Sequence, residues 1–120
     1  MTLMIQKGNE HRVLLRELEI ADTFWSRGIG LLRHNTLTSQ QALWIKPGII
    51  PVNSIHTFFM QFEIDCVFLN KKQQVVKLIS KVGPWKIMPP QRRAYSVIEM
   101  AGGQIQNLRI SEGDSLYVGG

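Results

Sequence analysis

Apolar and polar positions alternate along this chain in short runs, and the runs predict strands far more often than helices. Thr2 to Ile5 and Arg12 to Ile20 favour extended structure, and Gly8-Asn9 between them reads as the turn of a hairpin. In the second run Leu14, Leu18 and Ile20 share one side with Arg16, against Val13, Leu15, Glu17 and Glu19, so the alternation is imperfect. Asp22 or Thr23 then suits a helix N-cap, and Phe24, Ile29, Leu31 and Leu32 form the apolar side of a short helix over about 23–34. Gly28 and Gly30 weaken that helix by roughly 1 kcal/mol each relative to alanine, which suits close packing on a sheet.

Further strands are expected at Ala42 to Lys46, Ser54 to Met60, Ile64 to Leu69, Gln74 to Ser80, Ser96 to Met100 and Ser115 to Val118. Asn70-Lys71-Lys72 turns the fourth of these into an antiparallel partner of the third, while Gly83-Pro84-Trp85 and Pro89-Pro90 define an irregular loop. Many short strands with one helix predict a mainly β, single-domain antiparallel sandwich or barrel-like fold spanning 1–120. No internal repeat or low-complexity tract interrupts it.

Composition narrows the class. Hydrophobic residues make up 44% and charged residues 19% of 120 residues, which is globular, and no apolar run approaches the ~18 residues a membrane-spanning helix requires. The first ten residues lack the layout of a signal peptide, although a removed leader would leave no trace. A single cysteine, Cys66, excludes an internal disulfide and a multi-cysteine zinc site and suits a reducing cytoplasm. The net charge of +5 is concentrated: Lys71, Lys72, Lys77, Lys81, Lys86, Arg92 and Arg93 fall in a stretch without an acid, and the remainder carries seven basic and nine acidic residues. That stretch is either a solvated strand and loop or a surface for an acidic partner.

Candidate chemistry centres on the run from Ile55 to Asn70, where His56, Glu63 and Asp65 stand among apolar and aromatic residues. A buried carboxylate needs a paired cation, a set of backbone donors or a place beside a pocket, so Asp65 marks a site. His56 with Asp65 and a hydroxyl from Ser54 or Thr57 would compose a nucleophilic triad, but no nucleophile elbow accompanies them. His56, Asp65, Glu99 and Cys66 lack the paired spacing of a metal centre, so no metal and no cofactor is expected. Gly28-Ile29-Gly30 lacks the third glycine of a dinucleotide loop, and Arg33 is a candidate cation for Asp65 or Glu99. Lys81, Trp85, Lys86, Arg92 and Arg93 form a basic and aromatic surface, but the order of residues does not match the aromatic ribonucleoprotein signature of an RNA-recognition fold and no helix-turn-helix is evident, which argues against nucleic acid as partner.

Three blocks together resemble a known pattern. Arg27-Gly28-Ile29-Gly30-Leu31-Leu32-Arg33 is similar to an "R-G-L-M-x-R" helix, with Gly30 inserted. Ile55 to Met60 with Ile64 to Leu69 is similar to the core "F-W-M-x-x-T-x-x-x-L-D-x-x-F" in its "I-H-T-F-x-M" variant, with Cys66 at an ordinary apolar position. Val97-Ile98-Glu99-Met100-Ala101-Gly102-Gly103 and Gly113-Asp114 are similar to a "V-L-E-x-x-A-G" and "G-D" ending. Over about residues 22 to 118 the chain resembles the domain of unknown function 192 family, small and mainly prokaryotic proteins. The resemblance implies a mainly β, sandwich-like or barrel-like domain with a short helix, and it places Asp65 and Glu99 at the family's carboxylate positions; it supplies no function. Members often carry an export signal, which the first residues here do not show.

Three functions stay open. One is non-catalytic binding of a small molecule, carbohydrate or peptide in a concave site rimmed by His56, Asp65, Glu99 and Arg33. The second is a hydrolase in which His56 works with Asp65 or Glu99 as acid and base. The third is an interaction module whose basic 71–93 stretch engages an acidic surface, a membrane or nucleic acid.

Overall fold

Strand β1 (Thr2–Lys7) turns at Gly8-Asn9, with Gly8 at φ 60°, and returns as β2 (Glu10–Leu15) in antiparallel register. The computed structural model describes residues 1–21, 37–46, 62–83 and 93–119. The expected hairpin is present. A register shift opposite Leu3 and Met4 puts an extra residue into β2, and Leu14 and Leu15 are consequently both buried. The chain then breaks at Arg16, so the single strand expected over Arg12 to Ile20 is two: β3 (Glu17–Ala21) leaves for a second sheet. That break accounts for the imperfect alternation.

Strand β3 lies parallel to β4 (Gln41–Ile45), which corrects the all-antiparallel expectation. Parallel neighbours need a crossover of about a dozen residues or more, and 22–40 separate these two. The other strands are β5 (Ile64–Leu69), β6 (Val75–Val82), β7 (Ser96–Ala101) and β8 (Ser115–Gly119), all antiparallel to their partners. A small sheet runs β2-β1-β8 and a larger one β3-β4-β7-β5-β6. Two corners join them. Met1 and Leu18 exchange backbone hydrogen bonds of 3.3 and 2.9 Å, and Gln74 bridges Ser115. The mainly β class is therefore observed, as two sheets.

The four-residue helix α1 (Gln104–Asn107) was not anticipated; Gly102-Gly103 reads in sequence only as a turn between strands. The helix expected over 23–34, the strand expected at Ser54 to Met60 and most of the expected basic loop lie outside the described residues. No helix among the described residues is long and apolar enough to cross a membrane.

Each of β4, β5 and β7 is buried along nearly its whole length, because the large sheet carries apolar side chains on both faces. One face, with Trp44, Val67, Leu69, Ile98 and Met100, packs with Leu3, Ile5, Leu15 and Leu116 of the small sheet. The other gathers Leu43, Ile45, Cys66, Phe68 and Val97 with Leu37. Burying a side chain of this size stabilises by roughly 1.5–3 kcal/mol, so the two clusters hold the sheet between them. Trp44 satisfies its indole N–H at Ser96 Oγ, 2.9 Å away.

Candidate functional site

Asp65 and Glu99 are both buried, with relative exposures of 0% and 2%, yet their register separates them. Asp65 stands opposite Met100, on the face that packs against the small sheet; Glu99 stands opposite Cys66, on the other face. The two carboxyl groups expected to converge on one rim thus point to opposite sides.

Asp65 meets its burial with backbone donors, one of the three solutions open to it. Its Oδ1 accepts the N–H of Lys81 at 2.7 Å, and its Oδ2 accepts those of Gly103 at 3.1 Å and Ile105 at 2.8 Å. These donors exist because of two local irregularities. In β6 the register slips between the partners of Ile64 and Cys66, so Ser80 and Lys81 together oppose Asp65, and Lys81 takes φ 52°. At the start of α1 the cap residue Gly103, at φ 94°, offers no side chain to the first turn, and Asp65 supplies the missing acceptor from another strand. One carboxylate therefore fixes a bulge and a helix start.

Glu99 has no such support. Its Oε2 is buried without a hydrogen-bond partner, and burial pushes the carboxyl from the ordinary 4.5 up to about 8. The group is accordingly protonated at neutral pH. Strand register lays a row across the sheet, Glu19 in β3, Leu43 in β4, Glu99 in β7 and Cys66 in β5, all on one face. Burial above all, then Glu99 and Asp65, raise the Cys66 thiol well above its usual range, which makes it an inert core group rather than a nucleophile.

Beside that row lies a cleft of about 350 Å³ lined by Arg16, Glu17, Glu19, Leu37, Gln41 and Leu43, among others. Leu37 and Leu43 belong to the apolar cluster on the Glu99 face, so the cleft wall and the buried carboxyl share a packing neighbour. The volume falls in the range of small-ligand sites. Nothing in the sequence marked this cleft, because it depends on which strands become neighbours.

His56 and Arg33, the other two expected rim residues, lie outside the described residues, as do Trp85, Lys86 and Arg92 of the expected basic surface. Lys81 and Arg93 are described and exposed, as are Lys71, Lys72 and Lys77. Lys71 Nζ lies 5.7 Å from the Tyr95 ring centroid. No group of three or more metal-ligating side chains occurs among the described residues.

Residues 4–118 match the profile of the DUF192 family, described as "Uncharacterized ACR". The chain belongs to this family. A UPF0127 protein of Pyrococcus furiosus is 33% identical over 115 residues, covering 95% of this chain and 94% of its own length. One from Pyrococcus abyssi is 34% identical over 101 residues, covering 83% of this chain and 84% of its own. The solved structure of a protein of unknown function from Novosphingobium aromaticivorans superposes with a TM-score of 0.82 at 18% identity, covering 98% of this chain and 84% of that one. At that identity the likeness extends to the fold alone. The family is uncharacterised, so any functional reading rests on the residues described above.

Proposed function

We propose that this family member is a non-catalytic β-domain that binds a small molecule in the cleft beside β3 and β4, with Glu99 as its buried polar contact. The observation that carries this reading is Glu99 itself: a carboxyl 2% exposed, its Oε2 unpartnered, beside an apolar wall that also lines a cleft of ligand size. An orphaned buried polar atom costs roughly 1–3 kcal/mol, and a ligand supplying the missing hydrogen bond recovers that cost on binding. Asp65 serves in this reading as scaffold, because its oxygens already hold three N–H groups. His56 and Arg33 remain proposed members of the rim, and a carbohydrate or peptide remains within the ligand class. The buried, reduced Cys66 suits a cytoplasmic setting.

The test is a thermal-shift screen of the purified chain and its Glu99→Gln variant against sugars, nucleotides, amino acids, amines and short peptides. Ligand at about a hundred times its dissociation constant adds roughly 2.7 kcal/mol of stability, within reach of such a screen. The expected result is a stabilising compound whose effect is lost in the variant; compounds that stabilise both proteins equally, or no stabilising compound at all, would overturn the proposal.

One observation favours the hydrolase as second reading. A carboxyl with its pKa near 8 holds its proton at neutral pH, the state a general acid needs. Turnover of a chromogenic ester, phosphate or glycoside, abolished by Glu99→Gln, is what that reading predicts.

A further inference from the structure

We propose that β2 is a dimerisation edge: two copies of this chain pair along it, antiparallel about a two-fold axis at His11, and join their three-stranded sheets into one of six strands. Among the described strands that end a sheet, β2 is the one left open. On β8, Leu116 N–H donates to the carbonyl of Gln73 and Ser115 is bridged by Gln74; β3 exchanges bonds with Met1; β6 carries Lys77, Lys81 and a bulge. In β2 the two-residue turn makes Lys7 and Glu10 a hydrogen-bonded pair and Ile5 and Arg12 the next, so the N–H and C=O of His11 and Val13 point away from β1. No backbone partner for them on that side occurs among the described residues, and Glu10, His11 and Val13 are exposed. The His11 ring does not block the edge. Its Nδ1 lies 2.6 Å from Tyr117 Oη, so the ring leans across β1 toward β8.

The order of side chains selects a second copy as the occupant. Outward groups meet outward groups only in registers centred on His11, Arg12 or Val13. Centring on Arg12 sets that cation directly against its own copy, which is unfavourable. Centring on Val13 runs the pairing onto Leu15, where β2 carries its extra residue and Leu14 and Leu15 are both buried. Centring on His11 sets Glu10 against Arg12 of the second copy and Arg12 against its Glu10, with Val13 opposite Asn9. A strand that reads Glu-His-Arg is thus complementary to itself, as a two-fold contact requires.

Both charged groups can take those partners. Glu10, its side chain 66% exposed, stands 3.7 Å from Arg12 Nε in its own strand, too far for a hydrogen bond. Lys7, opposite Glu10, is held by Asp114 at 2.6 Å. Arg12 commits Nη2 to the carbonyl of Leu108 at 2.7 Å, which leaves the rest of its guanidinium fork. A strand of purely acidic or purely basic character would match one of the two charges and oppose the other. The contact from Asn9 to Val13 is small, well under the roughly 1,200 Å² of a standard interface, so the dimer is a weak one.

Sedimentation velocity of the full chain from about 5 to about 500 µM, the range in which contacts this small associate, tests the proposal. The wild type should pass from monomer to dimer. Val13→Pro removes an outward N–H without touching the ladder to β1, and should weaken the dimer roughly tenfold at an unchanged melting temperature. Glu10→Lys and Arg12→Glu should each stay monomeric alone and dimerise when mixed, because the mixture restores two opposite-charge pairs. A wild type monomeric throughout, a dimer that Val13→Pro leaves intact, or single charge variants that dimerise as well as the wild type would each overturn the inference. Should Arg12→Glu fail to fold for want of its bond to Leu108, Val13→Pro and Glu10→Lys still decide. A monomeric wild type whose His11 and Val13 amide resonances shift on adding a threonine-rich decapeptide would refute the second copy and make this edge a peptide site.

Discussion

Asp65 and Glu99 lie on adjacent strands and are equally buried, but they are opposite cases of a polar group in a core. The first gives its oxygens to three backbone donors; the second keeps its proton because its buried oxygen has no partner to offset burial. The sequence marks both as polar residues in apolar runs. It cannot tell them apart, because the donors that settle Asp65 belong to Lys81, Gly103 and Ile105, distant in sequence and brought near by a bulge and a turn. Glu99 has a consequence for stability. Its carboxyl titrates near 4.5 when unfolded and near 8 when folded, so below pH 4.5 both states are protonated and the group has no effect. Between those values the unfolded state alone loses its proton, so stability falls as pH rises, by up to about 1.4 kcal/mol per unit, and levels off above 8. Urea midpoints of wild type and Glu99→Gln measured from pH 5 to 9 should show this slope in the first and its absence in the second; parallel curves would refute the assignment.

At the scale of elements, the strands were legible because period-two alternation and turn residues act locally. The hairpin at Gly8-Asn9 and the β5–β6 pair around Asn70 are cases in point; Asn70 Oδ1 accepts the N–H groups of Lys72 and Gln74 and so closes its turn from within. The break at Arg16 and the parallel β3–β4 pair were not legible, since both depend on which sheet a strand joins. Helix α1 is the clearest instance. Four residues form no stable helix alone, and its start is held by a carboxylate 38 residues before the cap. Asp65→Asn replaces one acceptor with a donor aimed at backbone N–H, and should destabilise by about 2–4 kcal/mol. Hydrogen exchange should show Lys81, Gly103 and Ile105 losing protection ahead of the core amides of β5 and β7. Uniform loss across the sheet would mean that Asp65 does not hold these two irregularities specifically.

Charge makes its pattern only at the scale of the whole molecule. Apart from Arg93, the described cations of the basic stretch lie along β6 and its preceding turn, and β6 ends the order of the large sheet. Past the Gln74–Ser115 bridge, that strand presents exposed Lys77 and Lys81 and a bulge with a left-handed residue. Lysines and bulges on an outer strand oppose edge-to-edge pairing with a second sheet, which gives these cations a role without any partner. The competing role is attraction of an acidic surface by the 71–93 stretch, and the two roles respond differently to charge removal. We expect the double variant Lys77→Thr/Lys81→Asn, in which asparagine tolerates the left-handed conformation at 81, to keep its melting temperature and to self-associate at lower concentration in light scattering. Retention of the wild type on heparin should be weak and unchanged by the variant. Strong retention that the double variant abolishes and that collapses as salt rises, without any change in self-association, would instead make this edge a docking surface for an acidic partner.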